Sequence, residues 1–127
     1  TLTYLDPPYW KQAEGQYSND PTDLANMPLN TFTDTLAGLV KGIATKQSRG
    51  VIALLIQPTQ WRAPERQFTD HVTDLVRAVG NKRLVLEGRV SCPYATEQCT
   101  PQMVEWAKAN KKLLALTREL IIWRIAA

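Results

Sequence analysis

The residues best placed to do chemistry lie together at the start of the chain, in Leu2-Thr3-Tyr4-Leu5-Asp6-Pro7-Pro8-Tyr9-Trp10. An apolar, β-prone run ends in a carboxylate, two prolines stiffen the backbone beyond it, and two aromatic rings come next. Proline fixes φ at about −65° and pushes the residue before it to extended geometry. The strand therefore stops at Asp6 and carries the carboxylate at its C-terminal tip. In open α/β sheets ligands collect outside the carboxyl ends of the strands. An acidic group and an aromatic face are useful there.

The other candidates are more scattered. Trp61-Arg62 follows an apolar run and would share an edge with Asp6, either stacking on and pairing with a nucleic acid or packing as a local lid. His71 borders an apolar helix face, as a general base or as a helix-flank imidazole. Cys92 and Cys99 fit no common zinc spacing and read as two ordinary thiols. No metal site is expected.

Asp6-Pro7-Pro8-Tyr9 resembles the catalytic tetrapeptide of the amino-methyltransferases, the S-adenosylmethionine-dependent enzymes that methylate exocyclic amines of nucleic-acid bases. That tetrapeptide is Asp, Asn or Ser, then Pro-Pro, then Tyr, Phe or Trp, behind an apolar strand. The resemblance implies that Asp6, Pro7, Pro8 and Tyr9 are catalytic, with Asp6 and Pro7 facing the cofactor methyl. An exocyclic amine is a poor nucleophile because its lone pair is conjugated into the ring. Accepting its two hydrogens, on the Asp6 carboxylate and the Pro7 carbonyl, favours a pyramidal nitrogen. Tyr9 would stack on a flipped base. Tyr9, Trp10, Lys11, Tyr17, Trp61 and Arg62 are the candidate nucleic-acid contacts.

Asp in the first motif position is more typical of adenine-N6 enzymes, and Ser of cytosine-N4 ones, so DNA adenine is the expected substrate. An RNA base amine is the alternative, and so is a non-catalytic remnant that kept only the scaffold. The family holds S-adenosylmethionine in a glycine-rich loop after another strand. Here Gly15, Gly38, Gly42, Gly50, Gly80 and Gly88 form no such cluster. The chain thus resembles a catalytic half, whose partners would be DNA (or RNA) and the cofactor-binding half of the same protein. Arg118-Glu119 before an apolar run resembles, weakly, a late strand of the family.

The chain has 127 residues, 44% hydrophobic and 21% charged, with a net charge of +3. These values fit one globular domain with a real core and a mild basic excess compatible with a polyanion. No signal peptide or bilayer-length apolar run is present, so a cytoplasmic chain without membrane contact is expected. Thr1 is not an initiator methionine and residue 2 already reads as strand. This implies a preceding segment in the gene or a chain cut at a fold element.

The elements that must position these residues are legible from periodicity. Lys11 to Asn30 is polar and aperiodic, a long loop that is either mobile or folds over a substrate through Lys11 and Tyr17. A helix is expected from Thr31 to Gln47, started by a capping-box-like Thr31-x-x-Asp34, with Phe32, Leu36, Leu39, Val40 and Ile43 on one face. Gly38 and Gly42 would let it approach a sheet. Val51 to Ile56 reads as a strand covered on both faces. A second helix is expected from Pro64 to Val79, carrying Phe68, Val72, Leu75, Val76 and Val79. Leu84 to Cys92 alternates as a half-buried strand ended by Pro93-Tyr94. Thr100-Pro101 starts a short helix reaching Asn110, and Leu113 to Ile125 closes the chain, largely as strand. The expected fold is α/β, a partial Rossmann-like methyltransferase sheet in the order β-α-β-α-β-α-β. Its first two connections are right-handed crossovers and its last two strands are antiparallel.

Overall fold

The apolar run Val51 to Ile56 sits inside the sheet, and the rest of the chain is arranged about it. The computed structural model describes residues 1–11, 14–93 and 99–126. Its elements are β1 (Leu2–Leu5), α1 (Leu29–Lys46), β2 (Gly50–Ile56), α2 (His71–Val79), β3 (Leu84–Pro93), α3 (Pro101–Asn110) and β4 (Thr117–Ile125), with 3-10 turns at Leu24–Asn26 and Pro64–Arg66. The alternation along the chain is the expected one. Tyr94, expected to help end β3, lies outside the described residues.

The four strands form one mixed sheet in the order β1-β2-β4-β3. β1 runs parallel to β2, while β4 is antiparallel to both β2 and β3. The antiparallel pairing of the last two strands agrees with expectation. The side-by-side arrangement implied by consecutive βαβ units does not hold, because β4 inserts between β2 and β3. Burial explains the choice. β4 carries Leu120-Ile121-Ile122-Trp123, of which Ile121 and Trp123 are buried, whereas β3 is exposed or half-exposed along nearly all its length. The apolar strand takes the interior position and the polar one the edge.

One face of the sheet holds the core. Ile52, Leu54 and Ile56 of β2 and Ile121, Trp123 and Ile125 of β4 alternate onto it, as a period of two requires. They meet Phe32, Leu36 and Val40 of α1 and Val72, Leu75 and Val79 of α2. The other face is only partly covered: Ala53 is buried, but Val51 and Leu55 are not fully so. The expectation of a strand covered on both faces is therefore met on one. Gly50 opens β2 at φ 104°, and a Cβ there would lie 2.0 Å from the Thr1 carbonyl oxygen. Only glycine lets β1 come this close.

The helices begin where their caps allow. α1 starts at Leu29 behind Pro28, with no side-chain cap, so the Thr31-x-x-Asp34 box is already inside the helix. Leu39 is exposed rather than on the buried stripe. α2 starts at His71 because Asp70 accepts from the Thr73 amide, and Glu65 and Arg66, at φ 54° and 50°, interrupt the stretch from Pro64. Phe68 is consequently exposed. Thr100 caps α3 through the Met103 amide, with Pro101 in its first turn, as the sequence implies.

Gly38 and Gly42 make no close approach to the sheet: a Cβ at either would meet nothing within 4 Å. They sit on the exposed face of α1. Gly38→Ala and Gly42→Ala are therefore expected to stabilise the fold, each by up to ~1 kcal/mol, read as a rise in thermal midpoint. A fall would reveal crowding on that face.

Candidate functional site

The strand directions bring several chain segments to one edge. The C-terminal ends of β1, β2 and β3 and the start of β4 share it, since Leu5 lies opposite Leu54, Ile56 opposite Glu119, and Pro93 opposite Thr117. Asp6 stands there at the tip of β1, exposed to solvent. The Tyr9 hydroxyl donates to its Oδ1 at 3.2 Å. Burial and the neighbouring Asp6 carboxylate push the Tyr9 phenol far above its ordinary range, while Arg118 pulls weakly the other way. Tyr9 is thus a neutral hydrogen-bond donor throughout the physiological range. Arg118, at the start of β4, reaches this site electrostatically, and sequence reasoning did not assign it there.

Trp10 takes a different role from the one expected of it. Its side chain is buried, and its Nε1 donates to the Met27 carbonyl at 2.9 Å. An amphipathic ring next to the motif serves core packing with its polar end satisfied, so it is not available as a nucleic-acid contact. The Trp10 carbonyl in turn accepts from Thr59 Oγ1 at 2.8 Å, and Thr59 Oγ1 lies 3.2 Å from His71 Nε2. Because the Thr59 proton is committed to Trp10, Thr59 must accept from His71, which fixes the Nε2–H tautomer. Nδ1 is buried with no partner among the described residues. The ring meets Trp10 and Phe32 edge-on, at centroid distances of 6.0 and 5.4 Å. His71 is fully buried and its pKa is pushed down to about 4 by desolvation, against the weaker pull of Asp70 and Asp74. It is a neutral structural group, not an exposed base.

The tetrapeptide is therefore an arch between β1 and a residue anchored in the core. The loop beyond it is built from side chain to backbone bonds. Asn26 Nδ2 donates to the carbonyls of Ser18 and Asp20, and its Oδ1 accepts from the Gly15 amide at 2.8 Å. Asp23 caps the 3-10 turn at Leu24–Asn26. With Trp10 and Met27 joined at its neck, the segment from Gly15 to Met27 is a compact Ω-type loop rather than a structureless one. Tyr17 projects from it, 71% exposed. Lys11 pairs with Glu14 at 2.8 Å and lies 6.0 Å from the Trp10 ring.

Trp61 packs locally. The Arg66 guanidinium lies 3.6 Å from its ring centroid, and Trp106 of α3 meets it edge-on at 5.7 Å. Arg62 beside it is exposed. Gln60, not singled out in the sequence, holds the opposite segment: its Nε2 donates to the Leu113 carbonyl at 2.8 Å and its Oε1 accepts from the Ala115 amide at 2.7 Å. Glu119 forms a bidentate pair with Arg89, at 2.7 and 2.9 Å. Its carboxylate is turned to β3. Cys92 and Cys99 are free thiols.

The arrangement offers an exposed carboxylate, a neutral phenol and a rigid base for both. It does not offer a cradle for S-adenosylmethionine among the described residues. Gly50 is consumed by the β1 contact, Gly38 and Gly42 lie on open helix surface, and no glycine cluster joins a strand to a helix. No helix among the described residues is long and apolar enough to cross a membrane. No family model, curated protein or solved structure matches this chain.

Proposed function

We propose that the chain is the catalytic half of an amino-methyltransferase acting on the exocyclic amine of a nucleic-acid base, with adenine N6 in DNA as its first substrate. The observation that carries the reading is the exposed Asp6 carboxylate at the edge where the carboxyl ends of β1, β2 and β3 meet, on an arch anchored by Trp10. The Asp6 carboxylate and the Pro7 carbonyl accept the two amine hydrogens and expose the nitrogen lone pair. The Tyr9 ring flanks the base. Its hydroxyl, now on Asp6 Oδ1, yields to the incoming amine.

S-adenosylmethionine, when bound, supplies the methyl group. The described residues do not fit it, so a second half of the protein holds it. That half pairs with the free edge of β1, completing a Rossmann-like methyltransferase sheet. Among the described residues β1 pairs with a strand on one side only, and Leu2 and Tyr4 are exposed at 65% and 54%. An apolar open edge of this kind is a pairing surface. The absent glycine cradle also favours a second reading, a non-catalytic module.

One experiment separates the two. The protein expressed from its whole gene is incubated with methyl-labelled S-adenosylmethionine, and label is followed into adenine and cytosine oligonucleotides of DNA and RNA. Transfer to adenine in DNA is expected. Transfer to RNA would reassign the substrate, and absence of transfer to any base amine would leave the non-catalytic module standing.

A further inference from the structure

A cavity of about 370 Å³ opens at the same edge, between the loop after β2 and the segment that leads into β4. Its walls carry Arg66, Lys111 and Lys112 against a single carboxylate, Glu65. No ion pair among the described residues engages Lys111 or Lys112, and both are exposed. Two large apolar side chains stand in the same walls in contact with solvent, Phe68 at 48% and Leu113 at 92% exposure. A cationic hollow that also shows an aromatic face suits a ligand with both negative charge and flat apolar surface.

The walls are held in place. The Gln60 amide grips the backbone of Leu113 and Ala115 on one side. Arg66 is fixed against the Trp61 ring on the other. Glu65, Arg66 and Lys111 all adopt positive φ, so three of the four such non-glycine residues among those described line this one cavity. At Lys111 this is the left-handed cap that ends α3, while Glu65 and Arg66, in the turn after β2, hold it only because their surroundings enforce it. Gln60 follows Thr59, whose hydroxyl bonds the Trp10 carbonyl, so the cavity is tied directly to the arch that bears Asp6.

We infer that this cavity binds the strand flanking the target base, as unpaired nucleic acid, with Lys111 and Lys112 on phosphates and Phe68 and Leu113 against a base. The inference deepens the proposed function and rests on it for the identity of the strand. Bases meet an aromatic face only when they are unstacked, which a flipped target and its neighbours provide. Duplex DNA would leave Phe68 and Leu113 unused.

The test uses labelled oligo-thymidylate, which has no exocyclic amine and so cannot be a substrate. Its anisotropy is titrated with the full chain across a salt series. Binding is expected to weaken with salt, and Lys111→Gln with Lys112→Gln lowers the salt slope by about 1.4, two phosphate contacts on a single strand. Phe68→Ala weakens binding roughly fivefold or more. Circular dichroism verifies that each variant folds. No binding by the wild type, a double variant with the wild-type slope, or equal competition by polyglutamate overturns the inference. Lysine-dependent binding in a protein that transfers no methyl group would sink the proposed function and leave the cavity's assignment intact.

Discussion

On the proposed function, Asp6→Ala is expected to cut methyl transfer at least about a hundredfold, the scale on which a preorganised partner for developing charge acts. The fold should not notice. Asp6 is exposed and lies just past the last paired residue of β1, and the Tyr9 hydroxyl is its hydrogen-bond partner. Surface changes of this kind stay within about 0.5 kcal/mol, so the thermal midpoint should hold. Asp6→Asn keeps one side-chain acceptor and should retain part of the activity. Tyr9→Phe keeps the ring and frees the carboxylate oxygen, so it should preserve turnover where Tyr9→Ala loses base stacking. Labelled-methyl transfer at saturating oligonucleotide measures all four. Wild-type rates in Asp6→Ala would remove Asp6 from the chemistry.

The second large effect is acid sensitivity. His71 is the chain's one histidine, and its folded pKa of about 4 lies below the ordinary value of about 6.5. The folded state therefore disfavours the proton that the unfolded chain accepts. Its contribution is fully present above about pH 6.5 and is lost as pH falls from there toward 4, amounting to roughly 3 kcal/mol across the window. Charging it would place a second N–H against the apolar surroundings set by Trp10 and Phe32. Denaturant unfolding at stepped pH should show the slope in the wild type and not in His71→Phe. A flat wild-type profile, or the same slope in the variant, would refute the assignment.

The parts of this molecule legible in the sequence are those set by neighbours in the chain. Pro7 ends β1 at Leu5, the residue before Asp6, through its own sterics. Val51 to Ile56 forms an interior strand, buried on its core face, because nothing in it is polar. Thr100 and Pro101 start α3 because cap and first turn are local. The features that escaped depend on contacts between distant residues. Nothing adjacent to Trp10 says that Met27 and Thr59 will meet it, so a ring expected at the ligand was found in the core. Asn26 turns the Gly15 to Met27 segment into a defined loop through bonds spanning up to eleven positions. Phe68 matched the stripe of α2, but the Asp70 cap and the turn at Glu65-Arg66 left it outside the helix. The strand order did have a trace in the sequence. Glu87, Arg89 and Ser91 mark β3 as too polar for the interior, and that polarity outranks sequence adjacency in deciding which strand stands beside β2.

The place of β4 in the sheet also governs how the chain can fold. β3 finds its partner only in β4, and β2 stays half-paired until β4 arrives between them. Residues 84–93 thus have no ladder to join before residues 117–125 are present, and the apolar edge of β2 waits open meanwhile. The long-range pairing of residues 117–125 with both β2 and β3 therefore makes completion of the sheet a slow, cooperative event.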